Sequence, residues 1–371
     1  MEILNRHHLR GAWPDGAVYV GRGHPLGNPF VIGHDGNREE VIRLYRDHLE
    51  RAIARRDPEI VCALRALDPQ SVLVCSCAPA PCHAEVIAEL WQQHCAALPP
   101  AVFVFGSNLA GRHGKGAALA AKDFYGARLG VGAGPTGRAY AIPTKDGQLR
   151  VLSVPQILPY VRAFIRHAGG RPDLEFLVSA VGCGLAGYDP VWIAPLFAGA
   201  PPNCRFLSPE FDCAVPRPER RLRIIVAGSR SIVDPDQVWP ALDRLADERF
   251  PGEAFEVVCG EAPGPDTLGR QWAERRGYPV HSLPAPWEMT DVPGAAVRTR
   301  RDGARYNAAA GQARNVWMAA YGTHLVAFWD GKSLGTRGMI ALATAECLPV
   351  WRPGGRTVAI LRRGAKLCPR Y

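Results

Sequence analysis

The sequence predicts an α/β protein of three domains, at 1–98, 99–213 and 220–371, the last a doubly wound, Rossmann-like parallel sheet. Three observations carry this expectation. First, 371 residues exceed what one core usually organises, at roughly 100–200 residues per domain. Second, two proline-rich seams interrupt regular structure, one at Pro99-Pro100 and one around Pro209, Pro216 and Pro218. Third, each seam is followed by an apolar run ending in Gly-Ser, "VFVFGS" and "RIIVAGS", a fresh strand-to-glycine turn.

The chain carries a net charge of +9, which favours anionic partners such as nucleotides, nucleic acid or anionic surfaces. The arginines are scattered, as on a solvated face, and cluster most densely at Arg217–Arg223 and Arg298–Arg305. The opening "MEILNRHHLR" has no apolar core, and no apolar run reaches the ~18 residues of a membrane span. A cytoplasmic protein with reduced thiols, without a membrane partner, is therefore expected.

In the first segment a strand at Val18–Val20 enters the rigid turn "GRGHPLGNPF" with Arg22, His24 and Asn28. "NREEVIRLYRDHLERAIARR" is an amphipathic helix with Val41, Leu44, Tyr45 and Leu49 on one face. "SVLVCSCAPAPCHAEVIAELWQQH" reads as strand, cysteine loop and helix. Cys75, Cys77, Cys82 and His83 admit three readings: a zinc site, a reactive Cys82 activated at a helix N-terminus, or a structural turn that caps the helix. The spacing is not the usual C-x2-C pair, so no metal is assigned. Arg22, His24 and Asn28 beside this turn would make a polar pocket. The "GRGxPLGNPF" and "C-x-C-x-P-x-x-CH" motifs resemble a small uncharacterised family of bacteria and phages, which implies no activity.

In the middle segment "AVFVF" is a strand buried on both faces, and "GAALAAKDFY" is the helix after it. Between them Gly106, Ser107, Asn108, Gly114, Lys115 and Gly116 form a glycine-rich turn, an anion site in waiting. A second such element follows at Leu174–Ala180, with Gly182, Gly184, Gly187 and Tyr188 in its loop. Two loops of this kind suit one shared diphosphate. "AYAIPTKD" is a further strand that ends near the same face with Lys145 and Asp146.

"GSNLAGRHGKGAALAA" and "SAVGCGLAGY" resemble the two ligand loops of a divergent macrodomain, a fold that binds ADP-ribose and its derivatives. The resemblance implies that Asn108 contacts the distal ribose and that Gly182, Gly184, Gly187 and Tyr188 contact phosphates. Tyr188 as a ring stacked on ribose competes with Tyr188 as a packing residue. The usual acidic residue of the first loop is absent, and His113 and Lys115 stand near its place.

The third segment reads as three strand–glycine turn–helix units and a closing strand. Its motifs are "AGSR" (227–230), "GEAPGPD" (260–266), "PAPW" (284–287), "QARNVWM" (312–318) and "FWDGKSLGT" (328–336). Together they resemble the YspA-like, cpYpsA-related branch of the SLOG superfamily, which implies binding of nucleotides or nucleotide-derived ligands. On that basis Gly228, Ser229, Gly260, Gly331, Ser333, Gly335 and Thr336 would hold a phosphate. Arg230, Arg314 and Asn315 would add charge and hydrogen bonds, and Asp266 and Asp330 would meet ribose hydroxyls, with turn formation as the other reading of Asp330. Related lonely-guy enzymes carry a glutamate three residues beyond their Gly-Thr, where this chain has Met339. The insertion 288–311 offers cations as a lid or a mobile loop.

Three functions remain open on sequence. One is a sensor of nucleotide-derived ligands, such as ADP-ribose or NAD derivatives, in stress or phage-conflict signalling. Another is a hydrolase of a glycosidic or ADP-ribosyl bond, with His113, Asp123, Asp266 and Cys82 as candidate groups. The third is a nucleic-acid-binding or modification factor, which the charge motivates and no motif supports.

Overall fold

The structure, a computed structural model, describes residues 1–353 apart from 10–12, 15, 56 and 219–221. Its strands form three main sheets, each confined to one stretch of sequence.

The first stretch holds β1 (Glu2–Asn5), β2 (Ala17–Tyr19), α1 (Arg38–Ala54), α2 (Pro58–Arg65), β3 (Val72–Cys75) and α3 (His83–His94). The three strands are parallel in the order β1-β3-β2. Helix α1 starts where Asn37 and Glu40 form a reciprocal capping box. It buries Val41, Tyr45 and Leu49, the expected face, with Leu44 half-buried at its margin.

The second stretch holds β4 (Ala101–Asn108), α4 (Gly116–Tyr125), β5 (Gly134–Thr136), β6 (Ala139–Lys145), α5 (Val154–Gly169), β7 (Glu175–Val178), α6 (Pro190–Ile193), β8 (Cys204–Phe206) and α7 (Pro209–Ala214). The sheet runs β5-β6-β4-β7-β8 and is parallel except for β5. The parallel strands β6, β4 and β7 are neighbours, so the loops that follow them share one edge.

The third stretch holds β9 (Leu222–Gly228), α8 (Trp239–Arg244), β10 (Phe255–Cys259), α9 (Pro265–Arg276), β11 (Val280–Ser282), β12 (Val297–Thr299), β13 (Arg305–Asn307), α10 (Ala310–Tyr321), β14 (His324–Phe328), α11 (Leu334–Ala345) and β15 (Val350–Trp351). Its sheet is wholly parallel, ordered β11-β10-β9-β14-β15. The chain leaves β9 in both directions, so a switch point lies at the ends of β9 and β14, where parallel sheets bind ligands. Strands β12 and β13 form a separate hairpin inside the insertion.

Packing crosses both seams. Trp317 of α10 sits edge-on to Trp192 of α6, with centroids 5.5 Å apart, and donates its indole N–H to the Trp192 carbonyl at 3.0 Å. Ala313, Val316 and Ala320 of α10 belong to the same apolar cluster as α5 and β7. Toward the N-terminus, Arg65 pairs with Glu175 at 2.7 Å, Tyr125 donates its hydroxyl to the Cys62 carbonyl, and His24 packs edge-on against Phe124.

Candidate functional site

The loops at the carboxyl edge of the C-terminal sheet are tied into one piece. The Ser229 N–H donates to the Phe328 carbonyl at 2.8 Å, and the Asp330 N–H donates to Ser229 Oγ at 3.1 Å. Asp330 accepts the N–H groups of Lys332 and Ser333 at 2.9 and 2.8 Å and the Ser231 hydroxyl at 2.9 Å. These donors hold its carboxyl well below the usual carboxylate range, the backbone bonds from Ser333 and Lys332 most of all. Asp330 is therefore a turn former around Gly331. Ser333 caps α11 by accepting the Thr336 N–H, and the first turn of that helix opens outward at Gly335.

Asp266 binds the strand ends from below. Its two oxygens accept the N–H groups of Gly228 at 3.3 Å and Gly260 at 3.2 Å, and it is 3% exposed. Burial raises its pKa, and Arg314, 3.6 Å away, opposes that rise. Arg314 also donates to the Gly260 carbonyl and, at 2.9 Å, to Asn315 Oδ1. Its pKa is lowered by burial first, and the charge of Arg230 lowers it further against the pull of Asp266. Arg230 itself is exposed just after β9. Gly228 is required here: a Cβ would lie 2.5 Å from the Phe328 carbonyl oxygen.

Other side chains at this edge are committed elsewhere. Met339 is buried in the core, where the lonely-guy resemblance would ask for a carboxylate. Trp329 donates to the Ser333 carbonyl, and Trp287 packs near Tyr306. Glu261, next to Gly260, was missed by the sequence reading. It holds a left-handed φ of 56° and accepts the Ser282 hydroxyl at 2.6 Å, with Arg270 3.4 Å away. A non-glycine residue in that conformation is uncommon, and nothing in the one-letter pattern signals it.

In the middle sheet the two glycine loops do meet. A Cβ on Gly106 would lie 3.3 Å from the Gly182 N–H, so backbone abuts backbone. Gly114, Lys115 and Gly116 at the start of α4 are exposed, as are Gly184 and Gly187. Several named side chains face inward instead. The Asn108 amide closes its own turn, donating to the Arg112 carbonyl at 2.8 Å and accepting the Arg112 N–H at 3.1 Å. Tyr188 is buried and donates to the Leu152 carbonyl at 2.8 Å, the packing reading of that residue. His113 is 1% exposed against Phe105, its Nε2 lies 3.5 Å from Ser107 Oγ, and burial lowers its pKa. Asp123 is exposed on α4 beside Lys122. The insertion packs against this region. Met289 Sδ accepts the Trp192 indole N–H at 3.3 Å, and Pro293 lies by Gly187. Asn307, 1% exposed, pins the hairpin through Ala296, Ala309 and Met289.

In the N-terminal sheet the sulfurs of Cys75, Cys77 and Cys82 lie within 4.8 Å of one another, a group that can hold a metal ion. Cys75 and Cys82 Sγ are 3.0 Å apart, closer than the ~3.8 Å between thiolates on one tetrahedral zinc, so metal binding would require them to part. His83 donates Nε2–H to the Val20 carbonyl at 2.7 Å and turns Nδ1 toward Cys82 Sγ at 3.5 Å. Cys82 also serves as the N-cap of α3, accepting the Ala84 N–H. Burial pushes its thiol pKa up, so it is held protonated.

Comparison with known proteins matches two regions. Residues 4–93 match the family model of a domain of unknown function, DUF4326. Residues 222–289 match the YspA, cpYpsA-related SLOG family, a nucleotide-ligand-binding type of domain. These matches leave residues 94–221 uncovered, so the macrodomain resemblance rests on the residues of the middle segment. No curated protein matches. Among solved structures, DNA processing protein A (DprA) from Streptococcus pneumoniae is 20% identical, over 38% of this chain and 52% of that one, at a TM-score of 0.28. The chain thus spans about half the length of that protein, and a likeness this distant carries no argument.

Proposed function

We propose that the chain, organised as units 1–98, 99–213 and 220–371, binds nucleotide-derived ligands and senses them without turning them over. The observation that carries the reading is the placement of two arginines at the carboxyl edge of the C-terminal sheet, Arg230 exposed just after β9 and Arg314 held on the Gly260 carbonyl after β10. Two arginines near an open helix N-terminus favour a bound phosphate. The nearby carboxylates of Asp266, Asp330 and Glu261 are each engaged by protein donors, which leaves none poised to activate water. The abutting glycine loops of the middle sheet support a diphosphate there, as in ADP-ribose or NAD derivatives, held by backbone N–H groups and Lys115. Such a chain would serve stress or phage-conflict signalling.

Incubation with AMP, ADP-ribose and NAD tests this, with thermal stability and ligand mass read on the same samples. The expected result is stabilisation with the ligand intact, reduced in Arg230→Ala. Cleaved ligand would overturn the reading in favour of a hydrolase. One observation favours a second reading, nucleic-acid binding: Arg298, Arg300, Arg301 and Arg305 are all exposed on the β12–β13 hairpin and its turn. Steep weakening of RNA or DNA affinity with salt would mark it.

A further inference from the structure

The N-terminal segment has a cavity of about 610 Å³, within the usual size of small-molecule sites. It lies at the carboxyl ends of all three parallel strands. Arg6 follows β1, Gly21 and Arg22 follow β2, and Ser76 and Cys77 follow β3. The first residues of α1 and α3, Arg38 and His83, also line it, so two positive helix ends approach the same space. Among the described lining residues there are three arginines and no carboxylate.

We propose that this cavity is a binding site for a small phosphate-bearing molecule with an apolar or aromatic body. Three arginines on the walls of one cavity, with no carboxylate among its described lining residues, focus positive potential there, and their planar forks match phosphate oxygens. Arg6 is held by the Tyr19 hydroxyl at 3.2 Å and Arg38 by the Pro81 carbonyl at 3.3 Å, neutral partners that leave both charges uncompensated. Asp35, the acid whose charge reaches Arg22, is already engaged by the Val31 N–H at 2.7 Å and His34 at 2.8 Å. Beside the polar Asn28, Ser76 and His83, one part of the wall is apolar, with Phe30 half-buried and Ile32 51% exposed. An inorganic ion would leave that wall wet, whereas an organic phosphate covers it. His24 takes no part, since its ring packs on Phe124. The site is separate from the C-terminal edge and does not depend on the reading given for it.

The test uses the full chain carrying Arg230→Ala, so that the C-terminal edge is weakened. Calorimetric titration with AMP, ribose 5-phosphate, inorganic phosphate and adenosine is combined with alkylation of Cys77, which lines the cavity, against exposed Cys213 as reference. AMP or ribose 5-phosphate should bind, adenosine should not, and the bound phosphate ester should slow alkylation of Cys77 but not of Cys213. Arg22→Ala and Arg38→Ala should each weaken binding by about tenfold. Arg22 is exposed, so its variant keeps the fold, and Arg38→Lys with weakened binding serves if Arg38→Ala is unstable. The proposal is overturned if no phosphate ester binds, or if binding survives the Arg22→Ala, Arg38→Ala pair. It is equally overturned if binding leaves Cys77 alkylation unchanged, or if inorganic phosphate binds as tightly as the esters.

Discussion

Arg162 of α5 donates to the Glu346 carboxylate just beyond α11 at 2.9 Å, a pair 184 residues apart in sequence with both side chains nearly buried. The same guanidinium donates to the carbonyls of Ala198 at 3.0 Å and Ala320 at 2.5 Å. One side chain therefore joins the middle sheet to α10 and the end of α11. Removing it takes one donor from a largely buried carboxylate and from two buried carbonyls. Arg162→Ala should cost about 3–5 kcal/mol in urea denaturation. Because the apolar cluster also crosses this boundary, residues 99–353 should unfold in one transition. Two separable transitions in the wild-type chain would contradict that.

The pH response follows from buried histidines. Burial lowers the pKa of His24 to about 4 from an ordinary 6.5. The unfolded chain therefore binds this proton first, and the stability that His24 contributes is present above pH 6.5 and lost as pH falls toward 4. His83, His113, His167, His281 and His324 are shifted in the same direction by burial, so the whole chain should weaken over this range. His24→Asn keeps an acceptor for the Leu26 N–H, which His24 Nδ1 now takes at 3.0 Å. That variant should flatten the fall by roughly 2–3 kcal/mol in unfolding free energies compared at neutral and acid pH.

The C-terminal sheet was legible because β9, β10 and β14 are continuous apolar runs closed by glycine turns, as in "RIIVAGS" and "FEVVCG". Its doubly wound parallel order follows from that pattern. Strand β11 was not read, since Val280–Ser282 lies half-buried at a sheet edge and lacks an apolar run. Strand β1 was missed for the same reason, with no residue fully buried in Glu2–Asn5, and with it went Arg6 as a cavity residue. The glycine turns were legible as backbone, whereas the commitments of Asn108, Tyr188 and Asp266 were not. Tyr188 and Asp266 are turned inward by neighbours far away in sequence, Leu152 and Gly228, whereas Asn108 closes a local turn with Arg112 that the one-letter pattern does not mark. The seam between the middle and C-terminal segments is marked by its prolines. The burial of α10 against α5 carries no local signal.

Two glycines separate a structural role from a binding role. Gly228→Ala drives a Cβ into the Phe328 carbonyl oxygen and Pro265, so it should cost several kcal/mol and prevent stable folding. Gly335 has no heavy atom near its would-be Cβ and lies in the first turn of α11. Gly335→Ala should therefore raise stability by about 0.5–1 kcal/mol while weakening a phosphate ligand that approaches the helix end. Thermal melts with and without AMP would register both effects. A variant that is stabilised and still binds AMP normally would place the phosphate elsewhere.

Cys82 gives the sharpest contrast between structure and chemistry. It stands at a helix N-terminus, which lowers a thiol pKa, yet burial beside Cys75 raises it and prevails. The side chain is 1% exposed and its sulfur already accepts the Ala84 N–H. Iodoacetamide at neutral pH should label exposed Cys213 and Cys347 first, half-buried Cys77 next, and Cys82 only on unfolding. Cys82→Ser should then leave any turnover of nucleotide ligands unchanged, and its effect should be read in stability. Rapid labelling of Cys82 in the folded protein, ahead of Cys213, would instead show an accessible thiolate and restore it as a nucleophile.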